Sequence, residues 1–497
     1  MRLTLFIQND IFDVVCTRGK IMAKRKLDLT NESISPIKVI LYLAWPLFLE
    51  QVLSTLVSFA DTAMVGGLGK EATAAVSISN SFVFLINGVV MALGVGITAY
   101  VARSVGAKDY EKAKAYIRHA LIILALVGLP LALLPAALYK FIPRWMGAND
   151  DFLALAQEYL LITSVFRIFT MAMMVLGSVF RGRGDTKTPL YINIVVNFLN
   201  IAGNYILIHD PHTIHIAVDF LNIDFAFKMF GAGLGVKGAA ISTGVSWFLG
   251  GTALSIMLFV KNDPTRISLK DSYKPDADIL KNVIKLSIPA MLERMCMSLS
   301  GIVVTKSIAT LPTHVIAANT VYSTAESLSF MPAFAFATAA TTLVGQSLGA
   351  KKPNLAKKYA YTTTMVGIIV MLFAGAMLFA FAEPLVRFIN SDFDVVPIAR
   401  KCLQIVAFIQ PVQVIAWILA GALRGAGDTK WPFYITAAGN WLIRALGACL
   451  VIHVFHMGLP EAVVCMCLDQ AARAVCMYLR FRTGKWMHVI KDSAAKA

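Results

Sequence analysis

Apolar residues along this chain come in blocks rather than in alternation with polar ones. Twelve blocks, roughly 37–65, 72–102, 115–139, 152–180, 189–209, 233–260, 281–310, 315–346, 358–382, 395–423, 432–456 and 459–481, are long enough to cross a bilayer as helices. Several exceed the ~20 residues that a hydrocarbon core requires, so they are expected to tilt or project from it. The connections alternate in charge. Segments 103–118, 181–187, 261–285, 351–358, 424–430 and 480–496 are basic, whereas 309–314 and 456–460 carry little charge. Lys and Arg collect in cytoplasmic loops, which places both termini in the cytoplasm.

Within the greasy blocks one polar stripe stands out. Residues 181–204 read RGRGDTKTPLYINIVVNFLNIAGN. Asp185 and Thr188 are candidate caps, Pro189 suits a first helical turn, and Asn193, Asn197, Asn200 and Asn204 share one helix face. The turn recurs: Arg424–Pro432 matches Arg181–Pro189 in seven positions of nine, displaced by 243 residues. The same displacement carries Pro46 and Glu50 onto Pro289 and Glu293, Thr98 onto Thr341, and Ser104, Gly106 and Lys108 onto Ser347, Gly349 and Lys351. The chain is a tandem duplication. Six spans per repeat makes the halves parallel, a pair that encloses a cavity open to one side at a time. The predicted fold class is an all-α polytopic membrane protein, with twelve transmembrane helices in two six-helix repeats around a central cavity. Its organisation reads as a cytoplasmic segment (1–36), a first lobe (37–260), a linker (261–280), a second lobe (281–482) and a cytoplasmic tail (483–497). Gly235 matches Gly458 at a displacement of only 223, so about twenty extra residues sit at 210–231, expected as an interfacial helix or a plain loop.

Composition agrees with the pattern: 58% of the 497 residues are hydrophobic and 15% charged. The formal net charge of +16 would suggest nucleic acid in a soluble protein; here topogenic loops account for it, and no nucleic-acid partner is expected. Of the seven cysteines, the six in or beside apolar spans read as small buried thiols, without metal-binding spacing. The absence of GxxxxGK[ST] excludes an ATP pump, and neither a catalytic constellation nor a cofactor is expected.

Ionisable groups inside spans are functional candidates by default. The first half offers Glu50 and Asp61, three helical turns apart on one face, and Arg167. The second offers Glu293, Arg294, Lys306, Glu326, Arg444, Asp469 and Arg473. Asp469 and Arg473, four apart, can neutralise each other. Arg444 needs an anion, for which Glu293 and Glu326 are the candidates. Asn193 and Asn197 read as interhelical glue, since Asn440 repeats Asn197. Asn200 and Asn204 map onto Ile443 and Gly447, and that asymmetry points to function. Five histidines, His209, His212, His215, His453 and His456, gather at the outer ends, either as a pH-sensitive bias on a gate or as ordinary loop residues.

At this point the residues resemble a family. ADTAMVGGLG in the first span, VARSVGAKDYEKA after the second, FRGRGDTKTP before the fifth, GVKGAAIST in the sixth, and the repeat copies LVGQSLGAKKPNLA and LRGAGDTKWP are similar to the multidrug and toxic compound extrusion (MATE) transporters over 37–482. The resemblance implies secondary active efflux of small organic cations or aromatic drugs by a monomer in the plasma membrane, in exchange for H⁺ or Na⁺. It implies a first-half cation site at Asp61, Asn200, Asn204 and Thr243, with Asn204 standing where an Asp is usual. It also implies a role for Glu293, whose usual acidic partner in the tenth span is missing; Gln410 and Gln413 occupy that region. A lone buried carboxyl suits a proton, because desolvation favours its neutral form, whereas four oxygen ligands with one charge suit Na⁺. Glu50, Glu326 and Arg444 are further candidates. The alternatives are a lipid-linked oligosaccharide flippase of the same superfamily and, more remotely, an intramembrane enzyme or receptor.

Overall fold

The computed structural model describes residues 27–218 and 223–490. Its helices are α1 (Pro36–Gly66), α2 (Lys70–Gly106), α3 (Tyr110–Ala137), α4 (Asp150–Val165), α5 (Arg167–Gly182), α6 (Lys187–Ile208), α7 (Gly235–Val260), α8 (Ala277–Ile308), α9 (Thr313–Ser327), α10 (Phe330–Gly349), α11 (Pro353–Ala380), α12 (Val395–Ala426), α13 (Lys430–Val454) and α14 (Leu459–Arg482). Ten are each long and apolar enough to span, and the bent pairs α4/α5 (51°) and α9/α10 (44°) bring the count to twelve. The predicted spans are all present.

Local signals set the boundaries. Asp109 accepts from Lys112 N at the start of α3, and Asp276 accepts from Asp278 N and Ile279 N at the start of α8. Pro36 and Pro460 occupy first turns, where a missing N–H costs nothing. At 37 residues α2 is about 55 Å long and projects well beyond a bilayer core. The outer surface carries bare apolar side chains such as Phe198, Met365, Phe373 and Phe408, as a lipid-facing surface should. The 210–231 insert corrects its expectation. It forms an antiparallel hairpin of β1 (His212–Val218) and β2 (Ile223–Met229), running from His212 opposite Met229 to Val218 opposite Ile223. The alternation of HTIHIAV and IDFAFKM is a strand pattern that the short insert length hid.

The lobes exchange their first helices at the end that carries the basic loops. Leu43 of α1 packs in a core formed largely by α10, α11, α12 and α14, while its duplicate Leu286 of α8 packs among α2, α3 and α5. Where α2 crosses α10, Gly106 abuts the Gln346 carbonyl and Gly349 abuts the Arg103 carbonyl; any Cβ at either position would overlap that backbone. Gln346 Nε2 donates to Gly182 O (2.9 Å) and Thr342 Oγ1 to Arg181 O (3.0 Å), joining the halves at the same end. These contacts join the two lobes at the basic end.

Candidate functional site

Two polar centres result, one inside the first lobe and one between the lobes.

The first is built by α1, α6 and α7. The four-residue spacing of Asn200 and Asn204 sets both amides on one face of α6, toward α1. Asn204 Nδ2 donates to Asp61 Oδ1 at 2.6 Å. The Asn200 orientation that satisfies both of its ends accepts from Thr243 Oγ1 at 3.1 Å and donates to Asp61 Oδ1 at 2.8 Å. Asn200 and Asn204 are buried, and Asp61 and Thr243 partly so. Ser242 Oγ donates to Asn200 O (2.9 Å), fixing α7 against α6. No cation is paired with Asp61 among the described residues. Asn204 Oδ1 is buried and unpartnered, an oxygen left over beside a carboxylate. The site thus carries one negative charge held by neutral donors. It can take a proton, or, with its amides rotated, present hard oxygens to a monovalent cation. The four residues that the family resemblance marked are brought together here.

The second centre is a cavity of about 450 Å³ between the lobes. Its acids are a duplicated pair. Glu50 accepts from Asn193 Nδ2 (2.8 Å) and lies 3.7 Å from Arg181; Glu293 accepts from Arg424 Nη2 (2.6 Å) and Thr436 Oγ1 (3.2 Å). Each partner in the second set is the first shifted by 243 residues. Arg294, Arg473, Trp247 and Trp417 also line the cavity. Arg167 stacks 4.9 Å over the Trp247 ring.

Several expectations change. Arg444 does not pair with Glu293, which Arg424 already occupies; it lies in the fields of Glu326 and Asp469 instead. Gln410 and Gln413 do not stand in as partners for Glu293. Both are fully buried in α12, outside the cavity lining, and their amides have no hydrogen-bond partners among the described residues. Asp469 and Arg473 do pair, at 2.7 Å. Asn193 contacts an acid as well as bridging helices, and Asn197 lines the cavity. The Asp185 cap holds, accepting from Thr188 N (3.2 Å), and Lys261 pairs with Asp185. Its duplicate Asp428 pairs with Arg480 instead. Arg181 and Arg424 are the cavity residues that the sequence reading missed as such. Their signal was there: arginines repeated at the same displacement as the acids Glu50 and Glu293. The side chains of His212 and His215 lie outside the described ones, and with them the outer histidine cluster. At the basic face Thr30 donates to Asp28 through its hydroxyl and its backbone N–H. The hydroxyl contact, with Lys108 and Lys352 nearby, holds the Asp28 carboxyl below its ordinary range against the opposing cost of burial.

Comparison with known proteins gives the family of the fold. The MatE family model matches residues 46–206 and 289–450, one match in each half. The chain is similar to a probable multidrug resistance protein NorM of Thermotoga maritima, 28% identical over 450 residues that span 90% of this chain and 93% of that one. It is also similar to the uncharacterized transporter YisQ of Bacillus subtilis, 25% identical over 90% of this chain and 94% of the other. Among solved structures, a MATE crystal structure in the bent conformation superposes with a TM-score of 0.81 at 22% identity, covering 94% of this chain and 98% of that one. Matched in both halves and alike in fold along nearly its whole length, the chain belongs to the MatE family, the transporter family that its sequence resembles.

Proposed function

We propose that this protein exports small organic compounds across the cell membrane by alternating access of its two lobes, in antiport with H⁺. The positive-inside pattern orients the basic end and both termini to the cytoplasm. Lobes joined at that end fit an outward-facing state. The observation that carries the reading is the Asp61 site: a lone carboxylate held by Asn200 and Asn204 beside Thr243, with no cation paired to it among the described residues. Asn204 turns its N–H toward Asp61, and so does Asn200 in the orientation that satisfies both of its ends, an arrangement that suits a group cycling between ionised and protonated forms. Asp61 does not line the central cavity, so coupling to substrate runs through α6, whose Asn193 and Asn197 line the cavity while Asn200 and Asn204 face the carboxylate. Relatives named as multidrug resistance proteins support small drug-like cargo. A flippase of the same superfamily is expected to carry two further spans, and the described residues form twelve.

The test is transport by the purified protein in liposomes under H⁺ and Na⁺ gradients imposed separately. An H⁺ gradient alone should drive uphill substrate movement. Drive by Na⁺ alone would replace the ion, and no drive by either would overturn the reading.

A further inference from the structure

The two lobes present the cavity with matched acid–arginine pairs, Glu50 with Arg181 and Glu293 with Arg424. Those four charges cancel. Arg473 is answered from behind the wall by Asp469. Arg294 is answered by nothing. It is partly exposed, lines the cavity, and makes no hydrogen bond or ion pair among the described residues. The nearby Glu293 is already engaged at 2.6 Å by Arg424 and at 3.2 Å by Thr436, and Arg424 itself opposes a second cation. The position of Arg294 in the first lobe is Gln51, a neutral residue that also lines the cavity, so the second lobe carries a guanidinium where the first carries an amide. Trp247 and Trp417 also line the cavity, aromatic surfaces suited to contact with a ring.

We infer that the cavity recognises amphipathic aromatic anions, with a carboxylate or another oxyanion on the Arg294 guanidinium and the ring system against the aromatic lining. This rests on the cavity being the substrate site of the proposed exporter, and it departs from the organic cations that the family resemblance implies. A guanidinium without an ion pair presents its planar donor set to the cavity, and a bidentate oxyanion satisfies it. An organic cation would meet a site whose acids are both already paired, and would have to break a pair or sit beside Arg294. About 450 Å³ holds a drug-sized molecule of three or four rings.

Two dyes with one tricyclic xanthene core and opposite charge test the inference: fluorescein, an anion, and rhodamine 123, a cation. Binding of each to the full-length protein in lipid nanodiscs is read by fluorescence anisotropy. Fluorescein should bind the wild type at least about tenfold tighter than rhodamine 123. Arg294→Gln, which installs the residue of the first lobe, should weaken fluorescein about tenfold and leave rhodamine 123 equal or tighter, since what is lost is one charge-assisted contact. Arg294→Lys should retain most of the fluorescein affinity. Tighter rhodamine 123 binding to the wild type overturns the inference. So does an Arg294→Gln effect that is nil or equal for both dyes. The wild-type comparison and Arg294→Lys keep the test decisive if Arg294→Gln folds poorly. Failure here is separable from failure of the exporter reading. Fluorescein bound through Arg294 but moved by no ion gradient would sink the exporter and leave the anion site standing. Rhodamine 123 bound and driven uphill, with fluorescein ignored, would do the reverse.

Discussion

The two lobes descend from one sequence, and they agree at one depth of the membrane and differ at another. Around the cavity they agree: Glu50, Arg181 and Asn193 in the first lobe correspond to Glu293, Arg424 and Thr436 in the second, with the same contacts. Toward the other end they do not. At the displacements of the repeat, Asp61, Asn200, Asn204 and Thr243 correspond to Val304, Ile443, Gly447 and Met466, so the carboxylate site has an apolar ghost in the second lobe. The helix itself diverges there. α6 carries its asparagines on regular α-helix, whereas residues 439–445 of α13 run as π-helix and carry Asn440 and Arg444. A duplicated contact serves both halves of a symmetric chamber and is kept in both. A site present once has been either specialised or lost, and a carboxylate within a span is a functional candidate by default.

The largest expected effect breaks this comparison outright. Asp61→Asn should abolish gradient-driven transport, a loss of at least about a hundredfold, while the protein remains inserted, because the amide keeps the shape and loses the exchangeable proton. Glu293→Gln should leave coupling in place. Uptake assays on the two variants side by side check both statements.

Next come the duplicated acids. The Glu293 side chain is 7% exposed and its ion pair measures 2.6 Å, against 18% and 3.7 Å for Glu50. Removing one partner of a buried pair strands the other charge at about 3–5 kcal/mol, and less where water reaches. Glu293→Gln should therefore lower thermal stability clearly more than Glu50→Gln, as unfolding in detergent would show. Equal losses would mean that the two pairs are energetically alike despite their geometry.

Smaller again is the crossing of α2 and α10. Gly349→Ala should force the Arg103 backbone away and shift the population from the outward-facing toward the inward-facing state, with Gly106→Ala acting alike from the other lobe. Distances between spin labels on the basic loops of the two halves would report it as a widened distribution.

The smallest effect belongs to the strap before α1. Tyr359 Oη donates to Leu29 O (2.8 Å) and Lys352 Nζ to Thr30 O (3.0 Å). The Asp28 carboxyl is held below its ordinary value, so its contribution is complete at neutral pH and is lost as pH falls through the lowered value. Asp28→Asn should speed amide exchange in residues 28–35 at pH 7 with little change in transport.

Most of the architecture was legible because lipid imposes it: apolar blocks, basic loops and a constant displacement leave few alternatives. The Asn200–Asn204 spacing gave the shared face of α6 but not the partner, since nothing local says which span supplies Asp61. That came from the family resemblance, and the distances agree with it. The hairpin at 212–229 escaped because strands are not expected beside a membrane helix, and alternation over seven residues is a weak signal. The role of Arg181 and Arg424 escaped for a different reason. Basic residues next to a turn read as topogenic, and only their contacts show them reaching back to Glu50 and Glu293.

The central claim is that coupling resides in one lobe, at Asp61. Counting H⁺ and substrate fluxes together in liposomes carrying the wild type, Asp61→Asn or Glu293→Gln addresses it most directly. The account predicts opposed H⁺ and substrate movement in the wild type and in Glu293→Gln, with downhill substrate leak and no proton flux in Asp61→Asn. Proton flux that survives in Asp61→Asn and disappears in Glu293→Gln would contradict it.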